Sequence, residues 1–281
     1  MITIVTPFYS EKEKVFIQKN LRTLSQVENM QFHYVLVYMG RTTDRVYREI
    51  KDAAESYDFV TCLCTPESKG ISFALNKAID SQDGEYIYIS HPDIDINETT
   101  IQSLADILGQ ASEVGVIAPQ LVYEDGGVQD VYRRFPNFVD MLIKRSFLRR
   151  FPGFKNRYKH YLMWDKNPDI IEDVDWVTFH SVMIRRSTYA QAGGFDQQYY
   201  LYMYDTDFCQ QVWSQGQQVL YYPRLVAMQY RKRDSDHKGL IYTVSHKKSL
   251  YHVVSAFKYF AKYLLTAHPR MQQLEQRRQQ K

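Results

Sequence analysis

The strongest constraint on this chain is the alternation, over its first 120 residues, of short apolar runs with helical stretches. Ile2 to Phe8, Tyr34 to Tyr38, Phe59 to Leu63, Glu85 to Ile89 and Val114 to Ala118 read as strands. Glu13 to Val27, Asp44 to Ser56, Ile71 to Ser81 and Thr99 to Gln110 read as the helices between them. Strands without polar alternation are buried on both faces, so the pattern predicts an α/β fold: a mainly parallel sheet with helices on both sides. Ligands bind such sheets beyond the carboxyl ends of the strands. Chemistry is therefore expected in the loops after Phe8, Tyr38, Thr65 and Ile89.

Beyond Tyr123 the regularity stops. Residues 125–173 are aromatic, basic and mostly aperiodic, and so long an irregular stretch in a compact domain is usually functional or ordered by a ligand. Val174 to Arg186 then reads as a β-rich run, Thr206 to Gln215 as a helix, and Gln218 to Tyr222 and Leu225 to Tyr230 as strands. Near the end, Leu250, Val253, Val254, Phe257, Ala261, Leu264 and Leu265 share one helical face, with Lys258 and Lys262 off it. That is an amphipathic C-terminal helix. The polar stretch Gln272 to Lys281 reads as disordered.

A chain of 281 residues, 44% hydrophobic, can build one large domain. No apolar run is long enough to predict a membrane span, and Met1 to Val5 reads as a strand rather than a signal peptide. Cys62, Cys64 and Cys209 are too few for a disulfide framework and fit no common zinc spacing, so a reducing, cytoplasmic setting is expected. The net charge of +3 is unevenly spread: residues 231–281 carry +9 and the first 230 carry −6. Residues 141–161 hold seven basic side chains (Lys144, Arg145, Arg149, Arg150, Lys155, Arg157 and Lys159) and no acid. Basic runs of this kind are either solvated surface or contacts for an anionic partner, a lipid headgroup or a diphosphate. Nucleic acid is disfavoured, because the basic segments lie outside the regular first half and match no reading motif.

Three acidic groups stand out. His91-Pro92-Asp93-Ile94-Asp95 follows the fourth strand. Its carboxylates suit a divalent cation bridging a diphosphate, or equally a turn and helix cap. Tyr204-Asp205-Thr206-Asp207 opens a helix, where one Asp caps and the other is free to accept a proton. Asp173-x-Asp175-Trp176 offers an indole that stacks on a sugar or belongs to the core.

The order of these motifs resembles the family 2 glycosyltransferases, in particular their rhamnosyltransferase-like branch, over residues 2 to 231. Ile2 to Ser10 resembles that family's opening strand and loop, Lys69 to Ile79 its Asn- and Gly-containing helix start, and Gly84 to Ile87 its next strand. His91-Pro92-Asp93 falls where the family has Asn-Pro-Asp or Asp-x-Asp. Asp175 to Arg186, Gly193-Gly194-Phe195-Asp196 and Tyr200 to Asp207 resemble its acceptor-side strand, turn and Glu-Asp-Val-Asp helix start.

The resemblance implies a GT-A type Rossmann-like fold and an inverting sugar transfer from a dTDP- or UDP-sugar to a glycan or lipid-linked acceptor of the cell surface. It implies Asp205 as catalytic base, and Thr6, Pro7, Phe8, Tyr38, Asn76 and Asp93 as donor contacts. It further implies Trp176 and Asp207 as acceptor contacts, with Asp93, Asp95 and His91 holding Mg2+ or Mn2+. Three regions follow: a donor half at 1–120, an acceptor and catalytic half at 121–231, and a basic helical extension at 232–281. The helix of that extension packs on the domain, joins a second copy in a homodimer, or lies on an anionic membrane surface. Departures from the family are also plain. The strand ending at Tyr38 lacks the family's base-holding Asp, His91 and Tyr204 replace acidic or amide residues, and Gln229-Tyr230 stands in the region of its late His. Two competing readings remain, a catalytically silent glycan-binding scaffold and a nucleotidyltransferase. The latter would want a Gly-rich phosphate loop after the first strand, which Thr6 to Ser10 is not. A dinucleotide oxidoreductase is disfavoured, since no Gly-x-Gly-x-x-Gly follows a strand.

Overall fold

The computed structural model describes residues 1–139, 151–230, 247–264, 266 and 268–273. Lys144, Arg145, Arg149 and Arg150 of the basic stretch, Leu265 of the apolar face, and most of the tail expected to be disordered lie outside the described residues.

The first half alternates as expected: β1 (Ile2–Phe8), α1 (Lys14–Leu24), β2 (Phe32–Met39), α2 (Arg45–Ala54), β3 (Val60–Thr65), α3 (Gly70–Ile79), β4 (Tyr86–Ser90), α4 (Glu98–Gln110) and β5 (Val114–Tyr123). The second half adds β6 (Tyr132–Arg133), α5 (Pro152–Tyr161), β7 (Glu172–Asp173), β8 (Trp176–Val177), β9 (Ser181–Arg185), α6 (Arg186–Gln191), α7 (Tyr204–Ser214), β10 (Gln218–Gln229) and α8 (Lys247–Tyr263). Eight strands form one sheet in the order β3-β2-β1-β4-β9-β5-β10-β7, while β6 and β8 pair separately.

The sheet is mainly parallel, with one insertion that apolar runs do not reveal. β9 lies antiparallel between β4 and β5, pairing with both, so the fourth and fifth strands are not neighbours. A strand buried on both faces reads the same in either direction, and only the connections decide its polarity. The run expected from Val174 to Arg186 is split: the chain leaves β8, crosses at Thr178–His180 and enters the main sheet as β9. The two strands expected at 218–230 are one, β10, whose register against β5 shifts between Tyr222 and Val226. Pro223 sits inside that shift, and a residue without an N–H is tolerated where the ladder is interrupted.

Alternate residues of each strand feed two cores. Tyr34, Leu36 and Tyr38 join α1, α2 and α4 on one face, whereas Val35, Val37 and Met39 join α3, α7 and α8 on the other. The start of α3 is fixed to the segment before α7. Gly70 has φ 77° and lies so close to Tyr200 that a Cβ would sit 2.4 Å from its carbonyl oxygen. That carbonyl accepts from the Ile71 amide at 2.8 Å, and the Ser72 hydroxyl donates to the Tyr199 carbonyl at 2.7 Å.

The C-terminal helix α8 packs in a way that its hydrophobic periodicity does not anticipate. Its apolar stripe faces out: Leu250, Val253, Val254, Phe257 and Leu264 are exposed, Phe257 by 74% and Leu264 by 78%. The opposite, tyrosine- and lysine-bearing face meets the domain. Lys262 pairs with Asp207 (2.8 Å) and Asp196 (2.7 Å), and Tyr263 donates to Asp207 (2.8 Å). Lys258 donates to the Gln198 carbonyl (2.9 Å), and Tyr259 is buried with its hydroxyl on Gln210. Further on, the chain returns to the third acidic group. His268 and Arg270 contact the buried Asp175 at 2.9 and 2.8 Å, and the Phe135 amide donates to it at 2.7 Å. Burial opposes its charge, but His268 and Arg270 hold Asp175 below the ordinary carboxylate range. No described helix is long and apolar enough to cross a membrane.

Candidate active site

The carboxyl ends of β1, β2 and β4 meet at one edge of the sheet. Thr6, Pro7 and Phe8 close β1 with buried side chains, and the Phe8 ring lies 5.0 Å from Tyr38, which stacks on Tyr47 at 5.6 Å. The Tyr38 hydroxyl donates to Asp44 (3.0 Å), and the Arg41 amide donates to the same oxygen (2.8 Å). Burial first, then the Asp44 charge, push the Tyr38 hydroxyl up to about 12. Asp44, which the sequence did not single out, thus supplies a carboxylate at the tip of β2, where Tyr38 stands in place of the family's Asp.

The loop after β4 is held from beneath by Asn20, a buried residue of α1 whose amide donates to the Pro92 and Ile94 carbonyls, both at 3.1 Å. Ile94 bridges to Gln229 of β10, which sends the two flanking aspartates to different partners. Asp93 is buried and accepts from the Gln229 amide at 2.9 Å, and Gln229 is itself bonded to Gln129. Asp95 accepts from the Tyr230 hydroxyl at 2.6 Å and pairs with Lys19 at 3.3 Å. The residues in the place of the family's late His are therefore the ones that hold these aspartates. The expected His91, Asp93 and Asp95 metal triad is not assembled: among the described residues no three His, Cys, Asp or Glu side chains are grouped to hold an ion. Asp95 is turned to Tyr230 and Lys19. What is assembled is His91 edge-on to His180 at 4.4 Å, beside Asp93. A Mg2+-type ion normally takes one or two carboxylates and completes its shell from water and substrate phosphates. The residues present fit an ion shared with a diphosphate.

Asp205 stands in the first turn of α7, half-buried, its Oδ1 accepting from the Thr206 amide at 2.8 Å. Before it Met203 holds φ 70°, a left-handed conformation that costs an L-residue about 1–2 kcal/mol. Such strain tends to persist where function uses it. Burial raises the Asp205 carboxyl above its ordinary range, opposed by the Thr206 amide and the Arg133 guanidinium. The neighbouring Tyr204 is core, ringed by Phe179 and Phe195.

Three expected contacts have other duties in this structure. Asp207 is buried and saturated: besides Lys262 and Tyr263 it accepts from Tyr199 (3.1 Å) and Gln211 (2.7 Å), so it anchors α8 rather than facing an acceptor. The Asn76 side chain is likewise engaged, with the Phe195 amide (2.9 Å), the Phe195 carbonyl (2.8 Å) and the Tyr189 hydroxyl (3.0 Å). Trp176 is buried, donates to the Arg134 carbonyl (2.9 Å), and carries the Arg133 guanidinium over its ring at 5.2 Å. Its indole supports Arg133 instead of offering an open face. Arg133 itself is buried, and its Nε has no hydrogen-bond partner. Nothing in its sequence context marked it.

Two short segments tie the Asp93 and Asp205 edges together. Gln129 reaches the Gln229–Asp93 pair, while Arg133, four residues on, carries a positive charge near enough to favour the ionised form of Asp205. In the crossing from β8 to β9, Phe179 packs on Tyr204 while His180 contacts His91. The half-buried Asp205 carboxylate and the loop that bears Asp93 are thus parts of one construction.

Comparison with known proteins agrees. Residues 3–172 match the profile described as glycosyl transferase family 2. The N-acetylglucosaminyl-diphospho-decaprenol L-rhamnosyltransferase of Mycobacterium tuberculosis is 24% identical over 214 residues, 71% of this chain and 68% of that enzyme. Rhamnosyltransferase WbbL of Escherichia coli is 29% identical over 89 residues, 32% of this chain and 31% of that one. Among solved structures, GalNAc-T7 with UDP, GalNAc and Mn2+ superimposes with a TM-score of 0.60 at 11% identity, over 83% of this chain but only 44% of that one. The mannosyltransferase PcManGT of Pyrobaculum calidifontis with GDP-Man and Mn2+ gives 0.55 at 15% identity, covering 98% and 78%. Both are GT-A glycosyltransferases, and the likeness establishes that fold here. The profile covers more than half of the sequence: this chain belongs to glycosyl transferase family 2 and is a glycosyltransferase.

Proposed function

We propose that the chain transfers a sugar, of rhamnose type, from a dTDP- or UDP-linked donor to a glycan or lipid-linked glycan, with inversion at the anomeric carbon. The observation that carries this reading is Asp205: a carboxylate with a raised pKa at a helix start, with the Arg133 charge near it and, four residues before Arg133, Gln129 bonded to the Gln229 that holds Asp93. The rhamnosyl and lipid-diphosphate parts rest on the names of the relatives.

In this mechanism Asp205 takes the proton of the acceptor hydroxyl as that oxygen bonds to the anomeric carbon. The bond from that carbon to the donor diphosphate breaks, and its electron pair leaves with the diphosphate. Positioned proton removal of this kind contributes on the order of 10²–10⁴ in rate. Arg133, stacked on Trp176, keeps positive charge beside Asp205 and so favours the ionised base. Asp93, held by Gln229, with His91 next to it, would hold a divalent ion whose charge offsets that of the leaving diphosphate. Imidazole beside carboxylate favours Mn2+ over Mg2+.

The test is a donor panel. The full chain is incubated with dTDP-rhamnose, UDP-sugars and GDP-mannose plus a polyprenyl-diphosphate-linked N-acetylglucosamine acceptor, following nucleoside diphosphate release and product anomeric configuration. Acceptor-dependent release from one donor with inverted product is expected. Retention of configuration, or no acceptor-dependent release from any donor, would remove the reading.

A further inference from the structure

Helix α8 turns its apolar stripe away from the protein, and this is fixed rather than incidental. Asp207, buried in α7, draws Lys262 and Tyr263 inward, and Ala256 and Tyr259 are buried beneath them. Rolling the helix to hide Leu250, Val253, Val254, Phe257 and Leu264 would strip Asp207 of its partners. A contiguous apolar stripe held outward marks an interaction surface.

The charge around the stripe indicates what it meets. No acidic residue occurs between Asp236 and Glu275, where Lys258, Lys262 and Arg270 turn inward to the domain, and none occurs between Asp140 and Asp165. The second span includes α5, whose Tyr158 and Tyr161 join the same core as Tyr259 and Phe260. The Phe138 ring meets Phe260 at 5.8 Å. Helices α5 and α8 thus pack on the same core, each with an outer surface turned from it. On α5 that surface exposes Phe154 together with Lys155, Arg157 and Lys159. Apolar side chains exposed on α8 and basic ones exposed on α5, with no acid in either span, match an anionic interface. A second copy of the chain would bring like charge against like.

We propose that the outer surface of α8 and α5 docks on an anionic lipid leaflet. Leu250, Val253, Val254, Phe257 and Leu264 enter the boundary between headgroups and acyl chains, while Lys155, Arg157 and Lys159 meet the lipid phosphates. The surface rests on exposure and charge alone and stands whether or not the glycosyl-transfer reading holds. Since Asp207 lies two residues from Asp205, docking would bring the catalytic helix to the leaflet.

The experiment is co-sedimentation of the full chain with vesicles of phosphatidylcholine mixed with phosphatidylglycerol, and with vesicles of phosphatidylcholine alone, at low and high salt. Partition should be at least about tenfold greater on the anionic vesicles and should fall with salt. The outward-facing L250S/F257S/L264S variant should lose binding at either salt while keeping its thermal transition. K155Q/K159Q should lose mainly the salt-sensitive part. No binding by the unaltered chain, equal binding to both vesicle types, or full binding by the triple variant would overturn the proposal. So would a concentration-dependent dimer that the triple variant abolishes while the intact chain ignores vesicles. The lipid and salt comparisons need no variant, so the proposal stays testable even if the triple variant misfolds.

Discussion

At the scale of residues, Asp205 is the proposed base, its surroundings disfavour its charge, and two consequences follow. Because burial raises its folded pKa, the acid limb of the rate profile should lie above that of a free carboxylate. Replacing Arg133 with Met removes an opposing charge and should move that limb further up, read from kcat against pH; a limb that moves down would contradict the pairing. The sign for stability is opposite to the common case for an acid. The folded protein binds the Asp205 proton more tightly than the unfolded chain, so stability falls as pH rises from the unfolded to the folded pKa and stays lower above it. Asp205→Asn should therefore leave thermal stability at neutral pH unchanged or higher, which differential scanning calorimetry would check. Asp93→Ala should abolish any stimulation by Mg2+ or Mn2+ and weaken donor binding. Full activity after chelation would instead leave the diphosphate to basic side chains. The sequence singled out Asp93 and Asp205 as candidates from their places beside a strand end and a helix start. Asn20, Arg133 and the hold of Gln229 on Asp93 were not legible in it, because a buried amide or guanidinium acquires meaning only from partners 72 or more residues away.

At the scale of elements, α8 is the instructive case. Periodicity shows that a helix has an apolar face, yet not which face the fold buries. Here Asp207 decides, since a buried carboxylate must be paired and the partners lie on the polar face. Removing one partner of a buried ion pair costs about 3–5 kcal/mol, so Asp207→Ala should lower the unfolding transition by several degrees and expose α8 to proteolysis. An unchanged transition would show that α8 is held by packing alone. The β9 insertion was hidden for a related reason: apolar runs carry no direction. The Gly70 turn rests on a stronger local rule. Gly70→Ala adds a Cβ 2.4 Å from the Tyr200 carbonyl at a φ of 77°, and should destabilise the junction of α3 with the segment leading to α7. Urea unfolding would register this as a lower midpoint.

At the scale of the molecule, the parallel half of the sheet was readable because β1 to β4 are continuous apolar runs with helices between them, and the ligand edge followed from topology. The second half was less readable, since β6, β7 and β8 are two-residue strands that exist only through pairing with distant segments. Those short strands carry Arg133 and Trp176, which stack on each other, and place the Arg133 charge near Asp205. The central claim is that this joined site performs inverting transfer with Asp205 as its base. Its most direct test is single-turnover transfer by Asp205→Asn, alongside nucleoside diphosphate affinity measured by calorimetry. The account predicts affinity close to that of the unaltered chain and transfer slower by at least about two orders of magnitude. Transfer at near the original rate with affinity intact would show that another group removes the proton.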